Sequence, residues 1–161
     1  GLVNYVLVNL GILDKPYNFL TQPFAAKMVI ILALLWRWTG YNMVFFLSGL
    51  QNIEYSVYEA AKIDGASAIQ TFFKITVPLL KPTILLTAIM STNGTLQLFD
   101  ESINLTDGGP ANASISMSHY IYNLCFKYVP NFGYAAAMSF FILLLVAVLA
   151  FIQMRVGDKR D

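Results

Sequence analysis

The chain has 161 residues, 57% of them hydrophobic and only 12% charged, with a net charge of +1 and a mean hydropathy of +0.61. Soluble domains carry about 25% charged residues, so this composition excludes an ordinary water-soluble domain, and the near-neutral balance gives no footing for nucleic-acid binding. The lone Cys125 excludes an internal disulfide, and the single His119 has no His or Cys near it in sequence with which to hold a metal.

At roughly 20 apolar residues per membrane span, the length accommodates about three or four. The chain opens on Gly1 and no basic segment leads into the apolar stretch 2–13, so it reads as the C-terminal part of a longer membrane protein rather than one starting with a signal peptide. Residues 1–22 are interrupted by Asp14, Lys15 and Pro16 and suit an external or interfacial segment. A first span is expected over 24–50, with Arg37 as its interior charge between Trp36 and Trp38. Residues 54–78 form a polar island whose apolar positions (Val57, Ala61, Gly65, Ala68, Phe72, Ile75) recur at helical spacing. One continuous helix and two short helices bent at Ala66–Ser67 fit that spacing equally. A second span is expected over 79–99, a turn-rich external loop over 100–132, a third span over 134–154 and a basic tail over 155–161. No charge occurs in 88–97 or 129–154.

The basic residues set an orientation. Lys62, Lys74, Lys81, Arg155, Lys159 and Arg160 fall on the side of the island and the tail, whereas Asp100, Glu101 and Asp107 fall on the other with Lys15, Lys27 and Lys127. The positive-inside rule then places the island and the tail in the cytoplasm.

Four features carry candidate chemistry. In the island, Ala60, Ala61 and Gly65 offer a small-residue face for close approach, with Glu59 and Asp64 as charges for a partner; a plain interfacial helix is the alternative. In the second span, Asn93 and Gln97 lie four apart on one face, with Thr95 beside them and Asp100 extending the line outward. Such a line could bond the hydroxyls of a polar solute, with Phe99 stacking on a ring. Alternatively Ser91, Thr92 and Thr95 only bond across helices or back to their own backbone. Arg37 would cost about 2.5–3.5 kcal/mol at a helix centre, so it lines a path, or stacks between its tryptophans as a structural group. Gly108-Gly109-Pro110 is a tight turn that could shape an external docking surface. His119, Cys125 and Ser116 make no nucleophile–base set, and no G-x-x-x-x-G-K-[ST] occurs for nucleotide binding.

Glu59-Ala60-Ala61, three residues, Gly65, nine residues and Ile75-Thr76-Val77-Pro78 resemble the EAA signature of ABC-importer permeases, departing from it only at Val77, where Leu is usual. Trp36 to Tyr41, Leu47 to Ile53, Ile63 to Ala66, and Thr106 with Gly108-Gly109-Pro110 are similar to maltose and glycerol-phosphate type sugar permeases, specifically the partner carrying an external T-x-GGP element. The resemblance implies an all-α polytopic fold, the type I ABC importer transmembrane domain. It implies a non-enzymatic, multi-pass inner-membrane subunit without metal or other cofactor. The implied partners are cytoplasmic ABC ATPases, a second and different permease, an extracytoplasmic solute-binding protein and a small sugar. Glu59, Ala60, Ala61, Asp64, Gly65 and Pro78 become the implied ATPase-coupling element, and ATP hydrolysis falls to the ATPase. The competing expectation is an ATP-independent channel or ion-coupled carrier; that class favours a carboxylate at mid-membrane depth, and no expected span has a central Asp or Glu.

Overall fold

A computed structural model describes residues 1–157 and contains only helices and turns among them. Two helices are long and apolar enough to cross a membrane: α2 (Pro23–Gln51) and α8 (Phe132–Gly157), with mean window hydropathies of 1.4 and 2.8. They match the expected spans 24–50 and 134–154, each slightly lengthened. Pro23 opens α2 where a missing N–H costs nothing, and the Asn131 side chain accepts the Tyr134 N–H at the start of α8. The outward faces of both stay apolar, with Trp36, Leu32, Phe140 and Leu144 exposed, as a lipid-facing surface requires. Ahead of them, α1 (Leu2–Asn9) is a short exposed helix, tied back where Asn4 exchanges two hydrogen bonds with the Tyr17 backbone.

The island forms two helices. α3 (Tyr55–Ile63) is followed by a rod made of α4 (Ala68–Thr71), a π-helical turn (Phe72–Thr76) and α5 (Val77–Leu79).

The second span departs from expectation. The helix there, α6 (Lys81–Leu96), has 16 residues, roughly 24 Å at 1.5 Å per residue, which is short of the roughly 30 Å hydrocarbon core. It meets the rod Ala68–Leu79 at 65°, and only if that bent pair counts as one broken span do the described residues have three. Two features shorten it relative to 79–99. Pro82 in its first turn has no N–H with which to continue the rod. At its far end the chain leaves helical geometry at Gln97.

Small residues and amides set the packing. A Cβ on Gly94 would fall 2.2 Å from the Trp38 ring, on Gly49 2.8 Å from Leu80, and on Gly157 2.6 Å from Leu85. Asn42 of α2 bonds Ser91 of α6 at 3.0 Å, and Gln153 of α8 bonds Thr92 of α6 at 2.8 Å. The Gly49 and Gly157 contacts gather the C-terminal ends of α2 and α8 beside the start of α6, so the island and Arg155 share one end of the bundle. Lys159 and Arg160, counted above as tail charges, lie outside the described residues.

At the opposite end, the segment after α6 forms a π-helical turn (Ser102–Thr106), an irregular loop, α7 (Met117–Tyr122) and a second π-helical turn (Asn123–Lys127).

Candidate functional site

The island's helix–turn–helix follows from the Gly65 turn and the Ser67–Gln70 cap. Gly65 takes φ +75°, a left-handed conformation that glycine adopts without a Cβ penalty. Its N–H bonds the Lys62 carbonyl at 3.1 Å, and the Ala66 N–H bonds the Ala61 carbonyl at 3.0 Å. This is the paired closure of a Schellman motif. It explains why a glycine falls four residues after the second alanine: that alanine's carbonyl is the one closed from beyond the turn. Ser67 then starts α4 with a capping box, its hydroxyl accepting the Gln70 N–H while Gln70 Oε1 accepts the Ser67 N–H. The S-x-x-Q spacing was readable in the sequence and decides between the two forms left open there. Glu59, Ala60, Asp64, Gly65 and Pro78 are exposed, whereas Ala61 is buried. Nothing lies within 4 Å of where a Gly65 side chain would start. Tyr55, Ile63 and Ile69 stand exposed on the same unit.

The polar half of α6 divides between both readings. Ser91 and Thr92 are used up between helices, by Asn42 and Gln153, and Thr87 bonds back to its own helix at the Thr83 carbonyl. Asn93, Thr95 and Gln97 remain exposed, and the Gln97 amide donates to Asn93 Oδ1 at 2.6 Å. Gln97 borders a groove with Ser118 of α7 and Ser139 of α8, two hydroxyls that periodicity alone did not single out. Asp100 is not on this line: the helix ends at Leu96, and Asp100 opens the next helical turn after a break. Phe99, half-buried, lies in T-shaped contact with Tyr122 and His119, at 5.3 and 6.0 Å between centroids.

Arg37 is held by Glu101, at 2.6 Å from Nη1 to Oε1, and lies 5.5 Å over the Trp38 ring. The expected sandwich is half right, since Trp36 points outward and Trp38 packs on Gly94. Glu101, 64 residues away, was not legible as its partner.

The Thr106 to Pro110 turn closes over a buried polar knot. Ser102 and His119 are fully enclosed. Ser102 Oγ donates to the Ser114 carbonyl at 2.9 Å and accepts from the Ser116 N–H. The His119 Nδ1 contact at 2.9 Å is therefore a ring N–H donated to Ser102, because the hydroxyl's one hydrogen is spent. That leaves Nε2 facing Asp107 Oδ1 at 3.5 Å. The Ser–His–Asp order invites comparison with a hydrolase triad, but a sealed serine whose hydrogen goes to a backbone carbonyl is no nucleophile. Burial pushes His119 below the ordinary histidine range, against the pull of Asp107. Lys127 bonds Asp107 at 2.8 Å, which holds the Asp107 carboxyl low and the Lys127 ammonium high. Gly108, at φ +79° and buried against Ile115 and His119, and the half-buried Gly109 and Pro110 form the lid of this knot. No cluster of three or more metal-ligating side chains occurs among the described residues.

Long apolar helices, a capped helix–turn–helix at one end and a polar face on the short middle helix make this a helical protein of membrane type. A family model described as "Binding-protein-dependent transport system inner membrane component" matches residues 2–160, and the chain belongs to that family. It is 54% identical over 162 residues to the lactose transport system permease protein LacF of Rhizobium radiobacter, an alignment that covers 99% of this chain and 54% of that protein. It is 37% identical to the trehalose/maltose transport system permease protein MalF of Thermococcus litoralis, covering 99% of this chain and 53% of that one. The fold matches a crystal structure of a bacterial ABC transporter involved in import of the acidic polysaccharide alginate, with a TM-score of 0.83 and 26% identity over 98% of this chain and 54% of that chain. It also matches that kind of transporter in complex with an alginate pentasaccharide-bound periplasmic protein, with a TM-score of 0.72 and 27% identity, over 98% and 53%. The resemblance to sugar-type ABC-importer permeases and the all-α importer fold therefore both hold. The chain spans about half the length of the curated relatives it matches.

Proposed function

We propose that this chain is the part of a bacterial inner-membrane permease subunit that couples ATP hydrolysis to sugar import. In this reading the α3–α4 unit is the cytoplasmic coupling element, with Glu59, Ala60, Ala61, Asp64 and Gly65 at its docking surface and Pro78 at the foot of the span. Cytoplasmic ABC ATPases bind there and supply the hydrolysis. A second, different permease completes the channel, and an extracytoplasmic solute-binding protein delivers substrate at the far end, near the Gly108-Gly109-Pro110 lid. The names of the relatives favour a sugar, and Asn93, Thr95 and Gln97, with Ser118 and Ser139 nearby, offer the amides and hydroxyls that a polyol needs. The chain itself is assigned no catalysis and no cofactor.

The observation that carries this reading is Gly65. A position with empty space around it has no packing reason inside the chain to exclude a side chain, so its bareness serves the backbone turn and an approaching partner.

The test is to co-express the full-length protein with the companion permease and ATPase and to quantify the ATPase that co-purifies. Gly65→Asp should leave the fold intact, because Asp tolerates left-handed backbone, yet strip off most of the ATPase. Gly65→Asn should do the same through bulk alone. Equal retention by all three proteins would move docking away from the island. ATPase absent even from the native protein would replace this reading with an ATP-independent carrier.

A further inference from the structure

The coupling reading leaves open how a push on α3 reaches the membrane helices. Tyr58 stands immediately before Glu59-Ala60-Ala61 and is half-buried. Its hydroxyl lies 3.2 Å from Thr76 Oγ1. Thr76 is itself buried, ends the π-helical turn Phe72–Thr76 and sits two residues before Pro78. Thr76 also accepts, at its carbonyl, the Leu80 N–H at 3.0 Å, and Leu80 is the residue at which the rod turns into α6. One side chain of the docking helix is thus bonded to the residue that anchors the bend.

The surroundings make that bond mechanically relevant. A π-helical turn is wider and less regular than α-helix and tends to occur at functional positions, and Pro78 offers no N–H to stiffen the turn behind it. The joint between rod and span is thus flanked by two positions without a backbone donor, Pro78 and Pro82. Along the chain, α3 reaches the rod only through the Gly65 turn. A direct tether between α3 and the joint bypasses that turn.

Resting on the coupling reading above, we infer that the Tyr58–Thr76 hydroxyl pair is a positioning contact that carries displacement of α3 into the α5–α6 bend. It does not touch the ATPase or the substrate. Its role is to fix the angle at which the docking helix meets the foot of the span.

The experiment uses the full-length protein reconstituted with its companion permease, ATPase and loaded binding protein. It reads three quantities: retained ATPase, binding-protein-stimulated hydrolysis, and substrate moved per ATP. Tyr58→Phe and Thr76→Val should each keep ATPase retention at the native level while lowering transport per ATP by roughly fivefold, the scale of one neutral hydrogen bond. The double variant should be no worse than either single one, and Thr76→Ser should restore coupling. Native coupling in Tyr58→Phe, or a double variant as weak as the two losses multiplied, would overturn the inference while leaving the coupling reading intact. Loss of ATPase from Tyr58→Phe would also overturn it, since the pair would then merely hold α3 in place for docking. A native protein that retains no ATPase would overturn the coupling reading and this inference together.

Discussion

His119 shows how much a single enclosed side chain decides. Ser102 fixes its tautomer, so the unprotonated Nε2 meets the Asp107 carboxylate without a hydrogen to offer. Burial keeps the folded-state pKa below the ordinary value, so as pH falls the unfolded chain takes up this proton first. Stability from neutral His119 is complete above about pH 6.5 and is lost as pH drops from there through the lower folded value. Thermal midpoints of the purified full-length protein should therefore fall between pH 7.5 and 5.5. His119→Asn keeps a donor toward Ser102 and removes the titration, and its midpoint should be flat over that range. An unchanged pH slope in the variant would assign the dependence to another group. In the sequence His119 was a solitary histidine without metal partners. Its true neighbours, Ser102 and Asp107, become neighbours only once the loop folds back on itself.

At the scale of helices, α6 is held by what its neighbours cannot do without it. Trp38 of α2 fills the space that Gly94 leaves, and Arg37 beside it reaches Glu101 beyond the end of α6. A Cβ at 2.2 Å from a ring carbon is an overlap that only movement of Trp38 relieves, and overpacking of this kind costs about 1–3 kcal/mol. Gly94→Ala should lower the thermal midpoint and shift the tryptophan emission as Trp38 moves. Gly40→Ala, where the same added carbon meets nothing within 4 Å, should do neither. Hydropathy placed α2 and α8 closely because their signal is long and uninterrupted. It overran α6 at both ends, since Leu79 and Leu80 precede Lys81, and Gln97, Leu98 and Phe99 follow Leu96, while α6 extends over neither group. The sequence also held both readings of the polar stretch at once. Which of Ser91, Thr92, Asn93 and Gln97 is spent on packing depends on the rotation of α6 against α2 and α8, which no single helix encodes.

Over the whole molecule, the charge pattern and the packing agree on two ends. The island and Arg155 gather at one, and the Asp107–Lys127 pair and the Gly-Gly-Pro lid lie at the other. In a Cys125→Ser background of the full-length protein in intact cells, Val129→Cys should react with a membrane-impermeant maleimide. Ile63→Cys should react only after permeabilisation. Both positions are widely exposed, at 88% and 85%, so a failure to label reflects sidedness. The reverse pattern would invert the topology.

Sequence alone was enough for the all-helical class, the two long apolar helices and the helix–turn–helix around Gly65, because hydropathy and the spacing of Gly65 from Ala61 are local along the chain. A Schellman turn closes within six residues, and a lipid-facing helix needs only its own composition. Only the tertiary structure could show the Arg37–Glu101 pair, the Ser102–His119–Asp107 knot, the Tyr58–Thr76 contact and the break that sets Phe99 and Asp100 off from the helix bearing Asn93. Each of these depends on groups 12 to 64 residues apart or on where a helix stops, and such pairings acquire their energy only when packing excludes solvent or lipid from between them.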